Sequence, residues 1–343
     1  MFNANKTYGL YHIRVRNIAR PVITEAHKLN DGSVAPRVYK KIQWYMVETL
    51  VTGEMLGALA GKKPERKDIE ILVYLGAVMA LIDIVTDDYR IGRKVTEDLL
   101  QQAFSGGDLE EYKEAAPVLK ICILFLRKLR EAAGAELWKT ISESSDLINI
   151  QLNSGEQFSD AVTESAVNKL TIKKGGVSVL LCASVIGLDE RQLLSSLYET
   201  GGFIQMMNDC QDMHKDTVAG IKTYIHFCQD FREILNTLNS QRVKVFRMIN
   251  ELSLPEQSKH RFLFDLNAMF IVITYKLCRY SEVCGNKLDF DTIRQTDKVK
   301  FRVSPFSLSA FVACTGKIVH FHFEDTQGSE IFETGQTTDF VQK

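Results

Sequence analysis

Two groups of acidic residues, each at the end of an apolar stretch, have the types and spacing needed to bind metal ions. The first lies in LIDIVTDD and contains Asp83, Asp87 and Asp88. Positions i and i+4 lie on one face of an α-helix, so Asp83 and Asp87 are expected to project together. Like charges at this spacing destabilise a helix by roughly 0.2–0.5 kcal/mol, which a hard cation such as Mg²⁺ would offset. The alternative is an exposed last turn with solvated charges.

The second group lies in QMMNDCQDMHKD and contains Asn208, Asp209, Asp212 and Asp216. Asn208, Asp212 and Asp216 follow one another at i, i+4 and i+8, a stripe of oxygen ligands of the kind that Mg²⁺ prefers. The alternative is a solvated acidic helix face, which is the usual environment of a charge run. The apolar residues just before the group favour burial instead. Two such groups facing each other would bind several Mg²⁺ ions and, through them, a diphosphate.

Three further segments carry groups that suit phosphate binding. Lys174 precedes a pair of glycines in KKGG, which are predicted to end a helix and expose backbone amides. Lys222 lies just past the predicted end of the second acidic helix, and Arg279 and Tyr280 lie late in the last long helix. The alternatives are an ordinary helix end with cationic residues and a solvated arginine.

The composition is that of a folded globular protein and excludes some functions. The chain has 343 residues, 45% apolar and 25% charged, with a net charge of −1, so no general attraction to nucleic acid is expected. Its seven cysteines form no CxxC pair, which favours free thiols in a reducing cytosol. The N-terminus is too polar for a secretory signal, and the apolar runs Ile71–Ile82 and Val177–Ile186 are too short to span a bilayer. We therefore expect a cytoplasmic protein without an integral membrane segment.

Helical periodicity and few prolines predict an all-α protein. The predicted helices are listed in order: Pro36–Leu59, Arg66–Tyr89, Thr96–Ala103, Ala115–Ala132, Ala135–Asn153, Ser165–Thr171, Gly176–Ile186, Glu190–Lys215, Ile225–Leu252 and Pro255–Cys284. The pattern stops at about Asn286, and the segment 317–324 alternates like a strand. We predict a helical domain over residues 1–285 and an irregular extension of unknown role over residues 286–343.

The order of these motifs resembles that of the class I isoprenoid synthases, which include trans-prenyl diphosphate synthases, squalene and phytoene synthases and terpene cyclases. The similar segments are GEQFSD (Gly155–Asp160), KKGGVSVLL (Lys173–Leu181), ETGGFIQMMNDCQD (Glu199–Asp212) and the residues Gly220–Thr223. They resemble the family's GQ-x-x-D, K-T-G/A-x-L, G-x-x-x-Q-x-x-D-D-x-x-D and G-K-x-T segments. The resemblance implies a single-domain, isoprenoid synthase-type helical bundle whose acid motifs face each other across a central apolar cavity.

Departures from the family pattern favour one subclass. Ile84 stands where the first motif of chain-elongating enzymes, D-D-x-x-D, has its second Asp, and the paired arginines that follow in those enzymes are absent. The second motif begins with Asn208, so that Asn208, Asp212 and Asp216 resemble the metal triad of terpene cyclases. Arg279 and Tyr280 resemble an Arg-Tyr pair of many bacterial cyclases.

The resemblance implies a class I terpene synthase, a lyase that ionises farnesyl or geranylgeranyl diphosphate with Mg²⁺, cyclises the cation and releases diphosphate. It implies three Mg²⁺ ions, whose ligands are Asp83, Asp87, Asn208, Asp209, Asp212 and Asp216. The catalytic residues it implies are Asp83 and Asp87 together with the diphosphate-binding Lys174, Lys222, Arg279 and Tyr280. The partner is the prenyl diphosphate, with no nucleic acid, and a homodimer is possible by analogy.

Two other functions stay open at this point. A trans-prenyl diphosphate synthase, or a noncatalytic homologue of one, would also explain the similarity over residues 155–223. An enzyme of that kind adds isopentenyl diphosphate to an allylic diphosphate and so needs two substrates, whereas a cyclase needs one. The third is an all-helical interaction protein in which Ile84 and the missing arginines mark a lost activity.

Overall fold

The computed structural model describes residues 2–89, 91, 93–105, 115–143, 157–159 and 161–302. Every regular element in this part of the chain is a helix, so the predicted all-α fold class is confirmed. The α-helices are α1 (Phe2–Leu29), α2 (Pro36–Leu59), α3 (Arg66–Asp83), α4 (Arg93–Ser105), α5 (Pro117–Glu143), α6 (Glu164–Val185), α7 (Arg191–Ala219), α8 (Phe231–Asn250), α9 (Glu256–Val283) and α10 (Phe290–Gln295). A π-helical turn (Ile84–Asp88) follows α3, and 3₁₀ turns lie at Tyr224–Phe227 and Lys298–Phe301.

Several helix ends lie where the sequence signals place them. Helix α2 begins at Pro36, whose missing N–H costs nothing in a first turn, and it ends just before Gly61, whose φ is +69°. The predicted break near residue 134 is confirmed, because Gly134 interrupts α5 with φ +72° and ψ 178°. Helix α1 was not predicted; it accommodates Pro21 in its interior.

Three predicted boundaries were wrong. Helix α6 runs without interruption through Gly175 and Gly176, where two helices were predicted. The α-helical geometry of α3 ends at Asp83, and the remaining residues form a π turn. Helical structure also continues past residue 286, as α10 and the turn Lys298–Phe301. The strand-like segment 317–324 lies outside the described residues.

Contacts divide the chain into two compact units. The first comprises residues 1–155 and 177–190, and the second comprises residues 156–176 and 191–343. Each unit contains one of the two acid clusters. The predicted domain division at residue 285 stays a prediction.

The first unit is built around α3, which is apolar on nearly all sides and buried from Ile71 to Asp83 except at Met79. Helix α2 packs closely on it: a Cβ added to Gly76 would lie 2.6 Å from the carbonyl oxygen of Tyr45. The segment Arg66–Thr86 has the length and apolar composition of a membrane span, but 78% of its most apolar window is buried in the protein. That burial is typical of a core helix.

The second unit is built around α7, α8 and α9. Its core includes a buried charge, Arg242, whose guanidinium lies over the rings of Phe246 and Phe270 at 5.3 and 4.9 Å. Arg242 also donates a hydrogen bond to Asn267 Oδ1 at 2.9 Å. Behind the acid cluster, the turn Lys298–Phe301 packs on α9, with the Phe301 ring stacked on Tyr280 at 4.4 Å. These contacts hold α9 against α8 and against the turn Lys298–Phe301.

Candidate functional site

Asp209 is a buried carboxyl group at the contact between α6 and α7. Only 5% of the Asp209 surface is exposed to solvent. The Thr171 hydroxyl donates to Asp209 Oδ2 at 3.2 Å, and the Gln205 side-chain amide donates to Oδ1 at 3.0 Å. Burial raises the pKa of Asp209 to about 7, although the Gln205 hydrogen bond, the Lys174 charge and the Thr171 hydrogen bond oppose this rise. Asp209 therefore binds a proton readily near neutral pH and would release it to a cation.

Asp216 lies two turns further along α7 and is 8% exposed. Burial raises its pKa to about 8, and the negative charge of Asp212 adds to the rise. Among the described residues, no hydrogen bond or ion pair reaches the Asp216 carboxylate. A buried carboxylate without donors is costly, and either a proton or a cation would relieve that cost.

Asp212 completes the group that we call the second cluster, Asp209, Asp212 and Asp216. It is partly exposed, and the ammonium of Lys215 lies 3.4 Å from its Oδ2. Asn208, by contrast, lies on an exposed side of α7. The structure therefore groups the three aspartates at i, i+3 and i+7, whereas the predicted triad of Asn208, Asp212 and Asp216 differs in its first member.

Two lysines from neighbouring helices bring positive charge to the second cluster. Lys174 on α6 acts electrostatically on both Asp209 and Asp216 and lowers the pKa of each. Lys276 on α9 donates to the carbonyl oxygen of Gln211 on α7. Burial lowers the pKa of Lys276, while the nearby Asp212 carboxylate raises it. The cluster is thus flanked by cations of the kind that bind phosphate oxygens.

Lys276 is a residue that the sequence reasoning missed, in favour of Arg279. Tyr280 is buried, and its hydroxyl oxygen accepts the backbone N–H of His214 at 3.1 Å, so the side of α9 bearing Tyr280 packs on α7. Lys276 precedes Tyr280 by four residues and lies on that side. Arg279 instead donates to the Lys300 carbonyl at 3.0 Å and pairs with Glu282 at 2.9 Å. The structure therefore brings Tyr280 to the cluster helix and directs Arg279 elsewhere.

Lys222 is held beside the segment that resembles the family's GQ-x-x-D motif. Its backbone N–H donates to the Gln157 carbonyl at 3.0 Å, and the Gln157 side-chain amide donates to the Lys222 carbonyl at 2.9 Å. The Lys222 ammonium lies 3.3 Å from the Ser159 carbonyl. Two segments far apart in sequence thus meet at the end of α7. Asp160 lies outside the described residues.

The glycine pair after Lys174 serves close packing and does not end the helix. A Cβ added to Gly175 would lie 2.0 Å from the carbonyl oxygen of Gly201 on α7, and one added to Gly201 would lie 2.2 Å from that of Gly175. A Cβ on Gly176 would meet the Tyr198 ring at 2.5 Å. The prediction of a break with open amides was wrong because the absent side chains let two helix backbones touch. This contact is what sets Thr171 and Lys174 beside the second cluster.

The first acid cluster is arranged differently. Asp83 is 6% exposed and forms an ion pair at 2.7 Å with the ammonium of Lys41 on α2. It also accepts a hydrogen bond from the Tyr45 hydroxyl at 3.4 Å. The same ammonium lies 3.4 Å from Asp88 Oδ2. The π turn places Asp88, five residues on, beside the partner of Asp83. The side chain of Asp87 lies outside the described residues, so its predicted role is untested.

The carboxylates of the second cluster suit a magnesium ion that also binds the phosphate oxygens of a substrate. Among the described residues, no three His, Cys, Asp or Glu side chains are placed to enclose a metal ion. Mg²⁺ is commonly held by one or two carboxylates together with phosphate oxygens and water, and does not need such a cage. Asp216 is buried and accepts no hydrogen bond among the described residues, so its carboxylate suits the role of such a Mg²⁺ ligand.

Comparisons with known proteins give limited information. No family model matches the chain, and no curated protein matches it. Among solved structures, it is similar to a geranyltransferase from Legionella pneumophila, with 12% identity, a TM-score of 0.45, and coverage of 79% of this chain and 99% of that chain. This likeness assigns neither a family nor an activity to the chain.

Proposed function

We propose that the protein is a class I terpene synthase that binds an allylic prenyl diphosphate at the second cluster and ionises it. The observation that carries the proposal is the pair of buried aspartates, Asp209 and Asp216, whose pKa values are raised to about 7 and about 8 and on both of which the Lys174 charge acts. Groups that hold protons until a cation and an anion arrive together are suited to a metal–diphosphate ligand.

The chain's own residues divide the work of binding. Asp212 and Asp216 would hold Mg²⁺, and Asp209, whose oxygens accept from Thr171 and Gln205, would add negative charge beside the ion on losing its proton. When bound, the ion would neutralise the diphosphate and act as a Lewis acid on the leaving group. Lys174 and Lys276 would bind diphosphate oxygens and stabilise the charge that develops as the C–O bond breaks. The Tyr280 hydroxyl, which already accepts from His214, retains its own proton for donation.

A second candidate is a noncatalytic homologue of a trans-prenyl diphosphate synthase. The observation that favours it is the 2.7 Å ion pair between Lys41 and Asp83, because it occupies a carboxylate that the family resemblance makes a metal ligand. A catalytically active prenyl diphosphate synthase is separated from both by its demand for isopentenyl diphosphate.

The test is a product assay on the purified chain with Mg²⁺. Geranyl, farnesyl and geranylgeranyl diphosphate are supplied singly, each with and without isopentenyl diphosphate, and the organic and aqueous products are analysed. We expect a hydrocarbon or alcohol from one allylic substrate alone. A longer diphosphate that forms only with isopentenyl diphosphate would replace the proposal with chain elongation, and no turnover would favour the noncatalytic homologue.

Variants connect the activity to the second cluster. Asp212→Asn should lower turnover by about 100-fold or more, because a metal ligand that acts on the leaving group is lost. Asn208→Ala should lower it far less, since Asn208 is exposed. Asp189→Asn, which removes an exposed carboxylate elsewhere, is the matched control and should leave turnover unchanged. Equal losses for Asn208→Ala and Asp212→Asn would restore the triad predicted from spacing.

A further inference from the structure

Lys41 contacts the first acid cluster in the position that a bound cation would take. Its ammonium lies 2.7 Å from Asp83 Oδ2 and 3.4 Å from Asp88 Oδ2. Tyr45, one turn further along α2, donates to the same Asp83 oxygen at 3.4 Å. A single positive group on one helix thus serves two carboxylates on the element packed against it.

The contacts of Lys41 with Asp83 and with Asp88 differ in strength. The Asp83 side chain is 9% exposed and that of Lys41 is 22% exposed, so their short ion pair is shielded from water. The Asp88 side chain is 37% exposed, and at 3.4 Å its interaction is weaker and is screened by salt. Lys41 is therefore chiefly the partner of Asp83, and Asp88 adds a second negative charge that favours the ammonium at this place.

A divalent ion at Asp83 would have to replace Lys41 or lie beside it. Two cations within a few ångströms of each other in a shielded site repel strongly. The ammonium also holds its place without loss of translational freedom on binding, because it is covalently attached to α2. Under these conditions the tethered cation is favoured over a dissolved one.

We propose that Lys41 is the built-in counter-cation of the first acid cluster, and that Asp83 and Asp88 hold no divalent ion while Lys41 is present. Divalent-ion binding then belongs to the second cluster. Removal of the Lys41 charge would open a latent divalent-ion site at the first cluster. Only the assignment to the second cluster rests on the proposed function, because the ion pair itself is independent of it.

The experiment counts Mn²⁺ ions bound to the full chain by electron paramagnetic resonance, with and without inorganic diphosphate. In the wild-type protein, Asp83→Asn should leave the amount of bound Mn²⁺ unchanged. Lys41→Met should add one Mn²⁺ per chain, and the double variant Lys41→Met/Asp83→Asn should lose that gain. Lys40→Met removes an exposed lysine next in sequence and should add nothing.

Two results would overturn the inference. One is a loss of bound Mn²⁺ when Asp83→Asn is made in the wild-type background. The other is a folded Lys41→Met protein, checked by circular dichroism, that binds no additional ion. If Lys41→Met does not fold, the Asp83→Asn result alone decides, since that variant removes a charge from a buried site. The proposed function is tested separately by the variant Asp216→Asn. If this variant binds as much Mn²⁺ as the wild type, the second cluster is not the metal site and the proposed function fails.

Discussion

The two acid clusters of this chain share a sequence pattern and differ in how their charge is balanced. At the first cluster, Asp83 is paired at 2.7 Å with Lys41, a residue of the adjacent helix. At the second, Asp216 is 8% exposed and receives no hydrogen bond or ion pair within the described residues. The first carboxylate is satisfied by the protein itself, whereas the second is satisfied only by a proton or by a ligand that brings positive charge.

The difference shows why acidic residues at helical spacing do not by themselves predict a metal site. What decides is whether a neighbouring element supplies a cation in direct contact. Lys174 and Lys276 act on the second cluster through charge, but in the part of the chain that the structure describes no ion pair joins either of them to Asp209 or Asp216. That arrangement leaves the carboxylates of the second cluster with negative charge for a ligand that brings a cation, such as a metal diphosphate.

The largest expected effect comes from breaking the helix contact on which the second cluster depends. Gly201→Ala would place a methyl group 2.2 Å from the Gly175 carbonyl oxygen, a backbone atom that cannot rotate away. We expect a loss of about 3 kcal/mol in the free energy of unfolding, at the upper end for overpacking, measured by urea denaturation.

The matched control for that substitution lies in the first unit. Gly53→Ala would place its methyl group 2.3 Å from the Leu72 Cδ1, which belongs to a flexible side chain. Both changes gain the same helix propensity, so the difference between them isolates the backbone contact. Equal losses in the two variants would contradict the role given to the contact between α6 and α7.

The next effect is a pH dependence that only the second cluster should show. Asp209 and Asp216 have pKa values of about 7 and about 8 in the folded protein, against 3.8 ordinarily. Between about pH 4 and pH 8 the folded state therefore holds more protons than the unfolded chain, and stability falls as pH rises. The metal-free protein should lose several kcal/mol of stability across this window, measured by denaturation at a series of pH values.

Asp216→Asn tests the assignment of that pH dependence. The neutral amide removes the charge that is buried at high pH, so the variant should be more stable than the wild type at pH 9 and show a flatter profile. Mg²⁺ with diphosphate should stabilise the wild type more than the variant at that pH. Asp189→Asn should leave the profile as it is, because Asp189 is exposed. A wild-type profile that stays flat from pH 4 to pH 8 would remove the argument for buried carboxylates.

The sequence predicted the helices better than it predicted which residues meet. Helix α2 matches its predicted bounds because Pro36 and Gly61 are local signals. The continuity of α6 was missed because glycine was weighed by its local propensity, whereas here its small size allows a distant helix to approach. Lys276 was missed for a similar reason, since the side of α9 that faces α7 is set by tertiary packing, and the predicted role of Arg279 stays a prediction.

In the first cluster, a π turn begins directly after Asp83 and brings Asp88 to Lys41. The pairing of Asp83 with Asp87 stays a prediction, because the Asp87 side chain lies outside the described residues. Nothing in the α-helical period indicates a π turn, and Lys41 lies far from this segment in sequence. The Lys41–Asp83 ion pair, by which the first cluster differs from the second, could therefore not be predicted from the sequence pattern.

The smallest expected effect on stability comes from removing a single hydrogen bond to Asp209 in the second cluster. Thr171→Val keeps the shape of the side chain and removes the donor to Asp209 Oδ2. The loss should be about 1 kcal/mol at pH 9, where Asp209 is ionised, and smaller at pH 5, where it is protonated, as measured by urea denaturation at both pH values. Thr200→Val is the control, because the Thr200 hydroxyl bonds only to its own helix, at the Ser196 carbonyl. A loss for Thr171→Val that is equal at both pH values would mean that this hydroxyl packs against Asp209 without stabilising its charge, and that stabilisation would then come from Gln205 and the nearby lysines.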